Sequence, residues 1–287
     1  MNKRDIYYKL SPCLRFLIRR IWYFPVDVWD YITRKRDAMT PPRGAIFVGS
    51  GDFKKIGQLL LNHVIKFVDL KPDDTILDVG CGIGRLAAPL TGYLNEKGAY
   101  YGFDIVKQGI DWCNKHIAKK YPNFHFLHTP LKNDLYNLET DVESHHFIFP
   151  YEDKKFDVIV LNSVFTHMTT DDVANYLHQI HRVMAENGKC LATFFILNDE
   201  SKNNINRKLT DFTFPYPYKN CFLMDKKVKE ANVAYDETIL LEMFRQANLK
   251  IEHIHYGEWS KGTIINDFDF QDIIIFSKQP SCPQLPL

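Results

Sequence analysis

The chain has 287 residues, 45% hydrophobic and 25% charged, which is ordinary for a globular protein with a sizeable core. Its net charge of +1 provides no global field to recruit nucleic acid. The six cysteines, Cys13, Cys81, Cys113, Cys190, Cys221 and Cys282, include no C-x-x-C pair and no partner histidines at zinc spacing. They predict free thiols in a reducing compartment and no metal site.

Residues 1–40 are basic and aromatic, and Leu14, Leu17, Ile18 and Ile21 recur at helical spacing. Arg15, Arg19, Arg20 and Asp27 interrupt the apolar run, so it is neither a transmembrane span nor a signal peptide. The protein is expected to be cytoplasmic. Three readings of the segment stay open: a helix packed on the main domain, a lid over the substrate, or a peripheral membrane-surface helix. Thr40–Gly44, with two prolines, marks a boundary. The expected division is therefore a helical extension over 1–45, one domain over 46–278 and a flexible tail over 279–287. Phe53–Val68 has helical periodicity, and Asp52 stands where a cap would.

Thr75–Val79 is an apolar run of strand type containing Asp78, and Gly80, Gly82 and Gly84 follow it at alternate positions. Glycines permit positive φ and close approach of a ligand to the backbone. A helix is expected from this turn to about Leu94. Ala99–Asp104 is a second strand ending on a carboxylate, followed by a helix over about Lys107–Tyr121 and a short strand, Phe124–His128. Residues 129–155 are long and polar for a strand connection and predict an irregular excursion. Phe156–Asn162 is a near-continuous apolar run, as expected of a strand covered on both faces. A helix over Asp171–Met184, closed by Asn187–Gly188, leads to a fifth strand, Lys189–Leu197. Residues 199–235, rich in aromatics and proline, predict a second, poorly patterned insertion, either a loop or subdomain facing a substrate or a packed surface flap. A helix over Asp236–Ala247 and strands over Leu249–Tyr256 and Phe270–Ser277 complete the chain.

Five strand–helix alternations predict a doubly wound, mostly parallel, Rossmann-like α/β sheet of seven strands. The last two strands lack a helical connection and predict an antiparallel hairpin at the C-terminal end. The glycines run G-x-G-x-G where NAD fingerprints run G-x-G-x-x-G. Asp104 ends the strand beside that turn, where it can accept hydrogen bonds from two vicinal ribose hydroxyls.

Leu77–Gly84, Tyr101–Asp104, Phe156–Ile159 and Arg182–Lys189 together resemble the class I S-adenosylmethionine-dependent methyltransferases, over roughly residues 70–197. Asn162–Met168, Asn198–Ser201 and Phe270–Ile273 are similar to a bacterial-type methyltransferase subgroup with no firm substrate. The resemblance implies S-adenosylmethionine as cofactor. It implies that Gly80, Cys81, Gly82 and Gly84 admit the methionine half, that Asp78 orients the turn or reaches the amino group, and that Asp104 holds the ribose. Ile105 would pack on adenine, and Asn162 would offer its carbonyl to the amino group. The family's usual adenine-contacting Asp after the third strand is replaced by Pro130, with Asn133 and Asp134 slightly later.

Methyl transfer calls for positioning, and an oxygen nucleophile can also need a base, for which His167 is the candidate, ahead of His128 and the His145–His146 pair; the alternative for His167 is that its ring caps or packs the turn before the helix over Asp171–Met184. Asn162–Phe165 stands where amino-directed enzymes carry an Asn-Pro-Pro-Tyr/Phe motif. A small-molecule or glycan hydroxyl is therefore the expected acceptor, with nucleic acid disfavoured. The alternatives are an RNA or protein methyltransferase and a non-catalytic cofactor-binding homologue.

Overall fold

A computed structural model describes residues 10–49, 51–261 and 270–280. The strands of the main sheet are β1 (Thr75–Val79), β2 (Ala99–Asp104), β3 (Phe124–His128), β4 (Phe156–Leu161), β5 (Met184–Phe194), β10 (Leu249–His255) and β11 (Asp272–Lys278). Their order is β10-β11-β5-β4-β1-β2-β3. β1 lies parallel between β2 and β4, and β11 lies antiparallel between β5 and β10. The predicted sheet and its antiparallel end are thus present. The former tail falls partly at 281–287, outside the described residues.

Helices cover both faces. Leu77, Ile159 and Leu161 pack with Val173, Leu177 and Ile180 of α5 (Thr170–Val183). Ile76, Val158 and Val160 pack on the other side with Leu60 and Val64 of α2 (Phe53–Val68) and Ile110 of α4 (Lys107–Cys113). These strand residues alternate between two apolar layers, which is why β1 and β4 read as continuous apolar runs. Among the described residues the five cysteines are free thiols.

Several elements differ from expectation. The helix after the glycine turn is only α3, Ala87–Leu90, followed by turns. Pro89 lies in its first turn, where a missing N–H costs nothing. The helix after β2 widens to a π turn at Asn114–Ala118. α5 ends at Val183, and Asn187–Gly188 lies inside β5, where the register against β4 shifts. Gly188 sits there because a Cβ would stand 2.9 Å from the Phe156 carbonyl.

The segment 199–235 is also more ordered than its pattern suggests. It contains α6 (Asp199–Asn206), β7 (Tyr216–Tyr218), β8 (Cys221–Leu223) and most of β9 (Val233–Asp236). With β6 (Ile196–Leu197), these strands form a second sheet in the order β6-β9-β8-β7. Asp272 fastens it to the main sheet, accepting hydrogen bonds from Ile196 N (2.6 Å), Gly257 N (2.8 Å) and Trp259 Nε1 (2.9 Å). α7 (Glu237–Gln246) is capped by Asp236. The excursion 129–155 is irregular, with one 3₁₀ turn at Ser144–His146.

At the N-terminus, α1 spans Pro12–Ile32, with Ser11 as cap and Pro12 at its first turn. It is docked by its polar face. Asp27 accepts hydrogen bonds from the N–H groups of Arg43 (2.6 Å) and Gly44 (2.9 Å), and Asp30 pairs with Arg43 Nε at 3.2 Å. Arg15 is buried. The leucines and isoleucines that define its periodicity face away from the domain.

Candidate active site

The carboxyl ends of β1, β2 and β4 meet at the glycine turn. Gly80, Gly82 and Gly84 have φ of +72°, +59° and +77°. A Cβ on Gly80 would also lie 2.5 Å from Val164, so both conformation and space require glycine there. The N–H groups of Gly80 and Cys81 donate to the Phe103 carbonyl at 2.9 and 3.1 Å, binding the turn to the end of β2.

Asp104 accepts hydrogen bonds from Gly82 N (2.8 Å, Oδ2) and Val106 N (2.7 Å, Oδ1). The Ile105 backbone also favours its charged form, and the two oxygens of a carboxylate keep further acceptor capacity. Burial raises Asp104 to about 6, against the pull of those N–H groups. Asp78 accepts from the Tyr100 hydroxyl at 2.7 Å, and burial raises it to about 7. Among the described residues neither carboxylate pairs with a lysine or arginine.

Both carboxylates line a cavity of about 400 Å³, within the size range of small-ligand sites. Gly80, Cys81, Ile105, Asn133, Asn162 and His167 share its wall. Gly82 and Gly84 do not reach it. Gly82 acts from behind by holding Asp104, and Gly84 packs toward Cys113 and Ile117. Burial pushes the Cys81 thiol well up, which suits packing more than nucleophilic chemistry. Asn133 ties the wall together: its Oδ1 accepts from Leu135 N and Tyr136 N, and its Nδ2 donates to the His167 carbonyl at 3.2 Å.

His167 ends the 3₁₀ turn Phe165–His167 after β4. Its Nδ1 lies 2.9 Å from the Glu230 carbonyl, which can only accept, so Nδ1 carries the proton. Burial lowers its pKa, against the Glu230 and Ala231 carbonyls. At neutral pH the ring is therefore neutral, and Nε2 holds a lone pair. The other candidate histidines lie elsewhere. His128 Nε2 is 3.3 Å from the Ile105 carbonyl, and His145 pairs with Glu143 and Asp172.

Ser163 stands at φ +59° between Asn162 and the wall residue Val164. Its N–H donates to Thr193 Oγ1 at 2.7 Å and its hydroxyl to Gln271 Oε1 at 2.9 Å. This strained corner sets the direction of Asn162.

The cavity also contains residues that patterning missed. Arg85, directly after the glycine turn, has a buried Nε without a hydrogen-bond partner among the described residues, and burial lowers its pKa to about 10, leaving it charged. Phe195, Phe212 and Phe270 form an aromatic wall at the second sheet, with ring centroids 5.0–6.1 Å apart. The aromatic density of 212–218 was the available signal, and Phe212 is the part of it that reaches the cavity.

A family model described as a methyltransferase domain matches residues 70–248. The chain belongs to this methyltransferase family. A 2-phytyl-1,4-naphtoquinone methyltransferase from Trichormus variabilis (strain ATCC 29413 / PCC 7937) is 27% identical over 140 residues, 48% of this chain and 55% of that protein. The ribosomal RNA small subunit methyltransferase A of Dehalococcoides mccartyi (strain CBDB1) is 34% identical over 83 residues, 29% of this chain and 27% of that protein. The chain thus aligns with about half or less of these relatives' lengths. The PH0226 protein from Pyrococcus horikoshii OT3 has the same fold, with TM-score 0.53 and 14% identity over 82% of this chain and 94% of that one.

The residues present fit the family's cofactor, S-adenosylmethionine. Two buried carboxylates, raised by burial and unpaired with any lysine or arginine among the described residues, suit a ligand with cationic sulfonium and ammonium groups and a ribose diol. Arg85 adds a charged donor suited to a carboxylate.

Proposed function

We propose that the protein transfers the methyl group of S-adenosylmethionine to a hydroxyl of a small, flat, partly apolar acceptor. A glycan hydroxyl is a more polar variant of the same reading. One observation carries the proposal: a single cavity joins the Asp78–Asp104 pair to His167 and to the wall of Phe195, Phe212 and Phe270. The relative named for a naphthoquinone acceptor supports an acceptor of this shape.

The cofactor supplies an activated methyl group when bound. The chain supplies position, dryness and proton transfer. Asp104 would hold the ribose hydroxyls, Asp78 and the carbonyl of Asn162 would face the ammonium, Arg85 would take the carboxylate, and Ile105 would pack on adenine. The aromatic wall excludes water and orients the acceptor. His167, held as a neutral ring by the Glu230 carbonyl, would accept the hydroxyl proton at Nε2 as the oxygen–carbon bond forms and the cofactor's sulfur–methyl bond breaks, its electron pair staying on sulfur as S-adenosylhomocysteine leaves.

Tritiated-methyl transfer from S-adenosylmethionine into fractionated cell extracts tests this. Label in small organic-soluble molecules, lost in His167→Ala, is the expected result. Label in RNA or protein would replace the acceptor, and no label in any fraction would leave a cofactor-binding protein without turnover.

A further inference from the structure

We propose that α1 docks the protein on the surface of an anionic lipid bilayer, lying in the plane of the membrane with its apolar face in the headgroup–acyl boundary.

The helix is inverted relative to an ordinary surface helix. Three of its charged residues face the domain: Arg15 and Asp30 are buried, and Asp27 is bonded to the backbone at 43–44. Its apolar residues face outward: Leu17, Ile18, Ile21, Trp22, Trp29 and Ile32 are all exposed, Trp22 at 77% and Ile32 at 69%. At 100° per residue, these six fall within one broad stripe along the helix. Scattered exposed apolar side chains need no explanation, but a continuous stripe marks an interaction surface.

The chemistry of the occupant follows from the flanks. Residues 1–36 carry nine basic and three acidic side chains in a chain whose net charge is +1. Arg20, Arg34 and Lys35 are exposed beside the stripe or just beyond its end. Trp22, Trp29 and Tyr31 are side chains with an apolar body and a polar tip, suited to a membrane–water boundary. An apolar strip bordered by cations matches an anionic bilayer surface, where each nearby basic residue adds attraction.

α1 has 21 residues and would be about 31 Å long, yet no helix among the described residues is apolar enough to cross a membrane. Its docked charged face explains why it lies on the bilayer and does not span it. The helix also touches the cavity wall: Phe16 meets Phe47 edge-on with centroids 5.7 Å apart, and Phe47 lines the cavity. Docking would therefore hold the site beside the bilayer. The proposal does not depend on which acceptor is methylated.

The test is sedimentation of the full chain with vesicles of phosphatidylcholine and phosphatidylglycerol in about a two-to-one ratio, and with phosphatidylcholine alone. The expected result is binding to the mixed vesicles that is at least about tenfold tighter than to the neutral ones. Trp22→Ser/Trp29→Ser should weaken binding by at least about tenfold, and Arg34→Glu/Lys35→Glu should remove the anionic preference. Both variants should keep wild-type affinity for S-adenosylhomocysteine, which reports an intact fold. Failure of the wild type to bind, or full binding by the tryptophan variant, overturns the proposal. So does a wild-type dimer in sedimentation equilibrium that the tryptophan variant dissolves, because the stripe would then be covered by a second copy of the chain.

Discussion

The electrostatics of the cofactor end predict that binding S-adenosylmethionine releases protons, and that affinity rises with pH. Burial holds Asp78 at about 7 and Asp104 at about 6. At pH 5 both are largely protonated in the free protein, whereas a cationic ligand with a ribose diol favours both ionised. Each pH unit below a pKa costs about 1.4 kcal/mol, or tenfold, in the free energy of ionising that group. Between pH 7.5 and pH 5 the dissociation constant should therefore rise by about tenfold if Asp104 alone must ionise, and by approaching 10³-fold if both must.

Calorimetry at pH 6 in two buffers of different ionisation enthalpy gives the number of protons released, expected between about 0.5 if Asp104 alone ionises and about 1.4 if both do. Asp104→Asn should reduce that number and weaken binding by about tenfold or more. Equal heats in the two buffers, with a flat dissociation constant from pH 5 to 7.5, would refute the assignment of these carboxylates to the cofactor. The same shifts carry a stability signature of opposite sign. Groups raised on folding stabilise the free protein below the unfolded pKa near 3.8, and that contribution is lost as pH rises through about 6 and 7. The ligand-free protein should thus lose stability over the range in which it gains cofactor affinity.

Three further outcomes follow from particular contacts. His167→Gln should lower turnover by about 10²-fold or more while leaving cofactor affinity within about threefold, and undiminished turnover would remove it as the base. Gly84→Ala should destabilise the fold by about 1–3 kcal/mol, since φ is +77° and the new Cβ would lie 2.8 Å from Cys113 Sγ; an unchanged denaturation midpoint would refute this. Asp272→Ala leaves three buried donors without their acceptor, at about 1–3 kcal/mol each before relaxation. Urea denaturation should show a loss of at least about 2 kcal/mol, and a loss below 0.5 kcal/mol would show that the second sheet is held by other contacts.

The cofactor end was legible because its signals are local. A strand, a glycine turn requiring positive φ and a strand-end carboxylate are each defined within a few residues, and the parallel alternation of strands and helices brings Asp78 and Asp104 together without further information. His167 was legible as a residue near the mouth, but its tautomer depends on the Glu230 carbonyl, 63 positions away. Arg85 stood in plain sight after the turn; only its buried Nε and its place on the cavity wall distinguish it from a surface arginine.

Local pattern was least informative where partners lie far along the chain. The second sheet joins β6 to strands of three or four residues, too short for a period of two to declare itself. Its attachment through Asp272 links residues 76, 15 and 13 positions apart. Periodicity also identified α1 as a helix but not its orientation. An amphipathic pattern shows that one face is apolar, and whether that face turns inward depends on what the other face can bond. Here Asp27 and Asp30 bind the backbone and side chain at 43–44, so the polar face docks and the apolar one remains outward. The sequence by itself determined the glycine turn and the Asp78–Asp104 pair of the proposed cofactor site, because backbone conformation and strand order suffice to assemble them. Only the tertiary structure decided the aromatic wall of the cavity and the direction of α1, because both are set by contacts between segments that carry no mark of one another in the chain.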